Sequence, residues 1–129
     1  MSILRRQDKL KKFMIVFFAI FLLVGCASEG SYQDVSVDEA KELISSGEVK
    51  VLDVRTDEEF LTGHIPGAQL IPLQVIEGKL SELDKNAKYL VVCRSGNRSA
   101  QASALLAENG FKNIYNMTGG MNEWTGEIN

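Results

Sequence analysis

The chain has 129 residues, 45% of them hydrophobic, which is material for one domain around one core. Its 14 Lys and Arg against 17 Asp and Glu leave a net charge of −3 with the one histidine neutral. That balance excludes the basic patch by which a protein binds nucleic acid.

The positive charge is crowded at the start. Arg5, Arg6, Lys9, Lys11 and Lys12 precede residues 13–24, which carry no charge. An apolar run of about a dozen residues is short for a permanent membrane span and suits the central region of an export signal. Leu23, Val24, Gly25 and Cys26 resemble the lipobox of bacterial lipoproteins. The resemblance implies cleavage before Cys26, diacylglycerol on its thiol and an acyl chain such as palmitate on the new amino terminus, which supplies the two chains that stable anchoring needs. Residues 1–25 are then a removed signal peptide, residues 26–34 the lipidated cysteine with a small, polar tether, and residues 35–129 the domain. The expected location is extracytoplasmic, lipid-anchored to the bacterial cell membrane. Without residues 1–25 the chain keeps 9 basic and 16 acidic residues, a net charge of −7. Anionic headgroups repel such a surface, so the acyl chains alone must hold it.

Ser36 and Glu39 carry a capping-box pattern; Ala40, Leu43 and Ile44 form an apolar stripe, and Gly47 stands where a helix ends. The spacing predicts a helix over 37–46. Residues 49–54 are short, β-branched and apolar, as a buried strand is, and Thr56 with Glu59 caps a second brief helix through Leu61. Residues 63–67, Gly-His-Ile-Pro-Gly, make a turn. A strand near 69–71 leads past Pro72 to a helical segment around 75–83, a turn at 84–86 and a strand over 89–92. Residues 98–109 are alanine-rich and helical, with Gly110 as the terminal cap. A last strand at 114–116, a turn at 118–120 and a helical turn at 121–125 carrying Trp124 complete the chain. Short apolar strands alternating with helices imply an α/β fold with a parallel sheet covered on both faces.

Cys93 follows directly on a buried strand, and Arg94, Ser95, Gly96 and Asn97 must turn the backbone before Arg98 and Ser99 open a helix. Ligand sites of open α/β sheets lie at that edge. Gly96 and Asn97 tolerate positive φ, so successive N–H groups converge as an anion nest backed by a helix N-terminus, with the sulfur at its focus. Arg94 and Arg98 add positive field that lowers the thiol pKa. With Cys26 lipidated, Cys93 has no partner for a disulfide, and an unpaired thiol outside the cytoplasm is a liability that calls for a use. The chemistry implied is a nucleophilic thiolate whose covalent intermediate is cradled by backbone donors.

This loop resembles the active-site loop of rhodanese domains. The likeness spans residues 34–127: Val51 to Arg55 with Glu59 and Phe60, Gly63 to Ala68, Cys93 to Ser99, then Gly119, Gly120 and Trp124. It implies a rhodanese-like central sheet of about five short strands and a sulfurtransferase in which Cys93 takes sulfane sulfur from thiosulfate or a similar donor. The resulting persulfide passes its sulfur to cyanide or a thiol. Arg94, Ser95, Gly96, Asn97, Arg98 and Ser99 are the substrate-binding residues it implies. Two other classes share the fold: a non-enzymatic binding or regulatory module, expected to lack the cysteine, and a phosphatase or arsenate reductase, whose wider loop resembles Cys-x5-Arg. Here four residues separate Cys93 from Arg98.

Other candidates read as structure. His64 bonds its own loop; Asp53 and Arg55, two apart at a strand end, share one face as an ion pair. Phe60, Phe111 and Trp124 fill the core. Asp57, Glu58 and Glu59 favour a helix N-terminus and lack the histidine or cysteine a metal site needs. No cofactor motif is present, and the polar tether suits a monomer.

Overall fold

The computed structural model describes residues 30–129; the signal segment, Cys26 and residues 27–29 of the tether lie outside the described residues. Five strands, β1 Gln33–Val35, β2 Val49–Asp53, β3 Gln69–Leu70, β4 Lys88–Val92 and β5 Asn113–Met117, form one sheet in the order β1-β5-β4-β2-β3. Every pairing is parallel. The helices are α1 Val37–Ser45, α2 Asp57–Leu61 and α3 Asn97–Glu108, with 3₁₀ segments at Ile76–Glu82 and Gly120–Glu123.

Alternation along the strands builds two cores, as period-two side-chain direction requires. Leu52, Val54, Tyr89, Val91, Cys93 and Ile114 meet Ala102 and Leu106 of α3, and Phe111 after it, on one face. Val35, Val51, Leu90, Val92 and Met117 meet Val37 and Ala40 of α1, and Ile65, on the other. The expected parallel sheet with both faces covered is what the chain forms. It runs outward from β2 to β3, returns to β4 at the centre and continues outward to β5. That reversal opens a crevice at the C-terminal ends of β4 and β2.

Two expectations are corrected. Gln33 and Asp34, read as the end of the tether, belong to edge strand β1, which pairs Gln33, Asp34 and Val35 with Tyr115, Asn116 and Met117. Asn116 Nδ2 also donates to Asp34 Oδ1 at 3.0 Å. Only Val35 of the three is buried, so the strand carries no apolar signature. The helical segment around 75–83 is 3₁₀, with Gly78 in its middle and Ile76 as its buried residue.

Ser36 Oγ accepts from the Glu39 N–H at 3.1 Å to cap α1. The capping box is complete at α2, between Thr56 and Glu59.

Candidate active site

β4 delivers Cys93 to the centre of the sheet's C-terminal edge, and after three intervening residues the chain enters α3 at Asn97. The turn depends on Gly96, whose φ of +96° no non-glycine residue matches among the described residues. This conformation aims the Gly96 N–H at Cys93 Sγ, 3.1 Å away. Ser99, in the first turn of α3 and fully buried, places Oγ 3.3 Å from the same sulfur. When the sulfur is a thiolate, that hydroxyl donates to it.

Cys93 has no exposed surface, and burial pushes its thiol up. The Ser99 hydroxyl and the backbone N–H groups of Ser99, Ser95 and Gly96 outweigh that effect, so the thiol lies below its ordinary value. Two donors at hydrogen-bond distance, the Gly96 N–H and the Ser99 hydroxyl, with the amides of Ser95 and Ser99 adding to their effect, form a nest for a negative charge.

Of the residues expected here, Cys93, Ser95, Gly96 and Ser99 converge, Ser95 through its N–H alone. Asn97 is the first helical residue and has no positive φ. Arg94 is exposed and, among the described residues, its side chain has no ion pair or hydrogen bond. Arg98 turns aside to Glu59: Nη1 donates to Oε1 at 2.7 Å and Nη2 to Oε2 at 2.8 Å.

Residues 36–127 match the family described as Rhodanese-like domain. The chain belongs to the rhodanese family. The putative sulfurtransferase YtwF of Bacillus subtilis is 42% identical over 96 residues, covering 74% of this chain and 92% of that protein. The putative sulfur carrier protein YrkF of the same organism is 38% identical over 98 residues, 75% of this chain and 53% of YrkF, so this chain spans about half the length of that relative. The crystal structure of a rhodanese-like domain protein from Staphylococcus aureus superimposes with a TM-score of 0.69 at 38% identity, covering 75% of this chain and 96% of that one.

The rhodanese loop is braced by residues to which the sequence assigned no role in it. Glu59 completes the α2 cap and grips Arg98; that bond, stronger than the opposing effect of burial, holds its carboxyl at about 2. Arg98 holds its proton more firmly, through Glu59 first and with a smaller contribution from the charge on Cys93. From below, Met121 N–H donates to the Cys93 carbonyl at 2.8 Å and Asn122 N–H to the Arg94 carbonyl at 3.0 Å. Gly120 makes this approach feasible: a Cβ there would lie 2.5 Å from the Arg94 carbonyl and 2.6 Å from the Cys93 oxygen. The one signal in the sequence was the Gly119-Gly120 pair, legible as a turn.

Asp53, Arg55 and His64 have the structural roles expected of them. Arg55 and Asp53 form a buried pair with Nη2 2.8 Å from Oδ2, and Arg55 also donates to the Gly63 carbonyl at 2.8 Å. His64 stacks on Phe60 with ring centroids 3.7 Å apart, its Nδ1 lies 3.0 Å from the Phe60 carbonyl, and its backbone exchanges two hydrogen bonds with Asn129. Phe111 is buried and Trp124 half-buried against the core on the α1 side, whereas Phe60, expected in the core, is half-buried against the His64 ring and belongs to neither cluster. Among the described residues no cluster of His, Cys, Asp or Glu is placed to hold a metal ion, and no helix is long and apolar enough to cross a membrane.

Proposed function

We propose that the chain is a sulfurtransferase that moves sulfane sulfur from thiosulfate or a similar donor to a thiophilic acceptor, cyanide or a thiol, through a persulfide on Cys93. The observation that carries this reading is the pair of donors on Cys93 Sγ, the Gly96 N–H at 3.1 Å and the Ser99 hydroxyl at 3.3 Å. The thiolate attacks the outer sulfur of thiosulfate, the donor's S–S bond breaks, and sulfite leaves with the bonding pair. The persulfide anion then presents a negative sulfur to the same donors. An acceptor takes that outer sulfur and returns Cys93 as the thiolate. Arg94, exposed and unpaired at the rim, attracts the anionic donor. The four-residue spacing to Arg98 favours a single sulfur over a tetrahedral phosphate. The sulfurtransferase name of YtwF supports the same class of reaction.

The proposal includes anchoring of the domain, as a monomer, to the outer face of a bacterial membrane through lipid on Cys26, carried by the lipobox-like residues 23–26.

Intact mass spectrometry of the full chain in detergent tests the chemistry. Thiosulfate is expected to add one sulfur atom, cyanide to remove it, and Cys93→Ser to abolish the gain while keeping the fold. A folded Cys93→Ser protein that still transfers sulfur would sink the mechanism.

A further inference from the structure

Beside the loop lies an open pocket of about 400 Å³ whose wall includes Arg55, Glu58, Glu59, Thr62, Arg94 and Asn122. Most of its polar groups are already engaged. Arg55 is held by Asp53 and the Gly63 carbonyl, Glu59 by Arg98, and the Thr62 hydroxyl donates to the Glu59 carbonyl at 2.6 Å. Of its charged groups Arg94 and Glu58 remain, both exposed and, among the described residues, without an ion pair or side-chain hydrogen bond, beside the neutral amide of Asn122. One pocket therefore offers a guanidinium from the residue that follows Cys93 in the loop and a separate carboxylate from α2.

A site for the dianionic donor alone gains nothing from Glu58, whose charge repels it. A ligand with both signs is attracted at both ends, and the pocket has room for a molecule of amino-acid size. We propose that this pocket receives the sulfur acceptor and selects a small zwitterionic thiol, Arg94 taking its carboxylate and Glu58 its ammonium. The inference rests on the sulfur-transfer reading above. In the step it serves, the acceptor thiol gives its proton to solvent and its thiolate attacks the outer sulfur of the persulfide. The S–S bond to Cys93 breaks, Cys93 leaves as thiolate with the bonding pair, and the acceptor departs as a persulfide. No external oxidant or reductant enters.

The test uses the full chain in detergent, loaded with thiosulfate and confirmed as persulfide by mass. It is then discharged by four thiols: free cysteine, cysteamine, mercaptopropionate and mercaptoethanol. Comparing wild type with variant for each thiol cancels differences in intrinsic reactivity. Both charges are exposed, so each is worth a modest factor: Glu58→Gln is expected to slow cysteine and cysteamine roughly three- to fivefold. It should speed mercaptopropionate and leave mercaptoethanol unchanged. Arg94→Gln should slow cysteine and mercaptopropionate by a similar factor relative to mercaptoethanol. A persulfide that forms but discharges to all four thiols with the same variant-to-wild-type ratio overturns the acceptor assignment alone. Failure of wild type to form a persulfide overturns the sulfur-transfer reading and this one with it.

Discussion

The Ser99 hydroxyl is the side-chain contact that distinguishes Cys93 from an ordinary buried thiol. Both groups are fully buried, so no water can replace that donor when it is lost. Ser99→Ala leaves burial to push the thiol up against fewer donors, and its pKa rises. Thiolate is present above the thiol's pKa and is lost as pH falls through it. The variant's rate of persulfide formation should therefore fall away at higher pH than wild type, with the alkaline plateau retained, and Ser99→Thr should restore the profile. A pH-rate series checks this; superimposable profiles for wild type and Ser99→Ala would refute the role. The place of Cys93 at a strand end and of Gly96 in the turn was legible because local chain geometry dictates it, whereas Ser99 entered only through the rhodanese likeness and its contact with the sulfur was not foreseen. The orientation of Arg98 was not, since its partner Glu59 lies 39 residues away and a guanidinium at a helix start serves equally to bind a ligand or another element.

Between elements, two contacts fix the loop. Glu59 ties α2 to α3 through Arg98, and its carboxyl is depressed from 4.5 to about 2. The stabilisation is present above pH 4.5 and is lost as pH falls towards 2. The pair is partly exposed, so Glu59→Gln should cost only about 1 kcal/mol near neutrality. In urea unfolding the gap between variant and wild type should close as pH falls through that window; a gap independent of pH would count against the ion pair. The second contact is the close approach of Gly120 to the loop. Gly120→Ala forces a side chain into a φ of +60° and against the Arg94 backbone, and should cost more than about 2 kcal/mol and impair persulfide formation. Gly47→Ala has a comparable φ of +73° but meets nothing within 4 Å, so it should cost about 1 kcal/mol and spare activity. Equal effects in the two variants would show that the approach to the loop is irrelevant. The elements that present one apolar face to a core were read to within a residue or two. The strand missed was β1, whose hydrogen bonds run to β5 some 80 residues on while two of its three side chains face water.

At the scale of the whole molecule, parallel strands separate the two ends of the fold by function. The chain enters β1 at Gln33, at the N-terminal edge of the sheet, whereas Cys93 stands past the C-terminal edge. The 12 residues of α3 span about 18 Å between the loop at Asn97 and the opposite end at Glu108. The described chain thus enters the sheet at the edge opposite the chemistry, and with the lipid proposed on Cys26 the net charge of −7 beyond residue 25 keeps the domain off anionic headgroups. Anchoring and catalysis are then separable. Cys26→Ala should abolish acylation, leaving the chain either soluble or unprocessed, while the purified variant forms and discharges the persulfide at the wild-type rate. Membrane fractionation, intact mass and single-turnover kinetics on one preparation read all three quantities. A cleaved Cys26→Ala chain that still fractionates with membranes would refute the lipid anchor. A marked loss of transfer rate would instead show that the anchored end reaches the site, contrary to the geometry of the sheet.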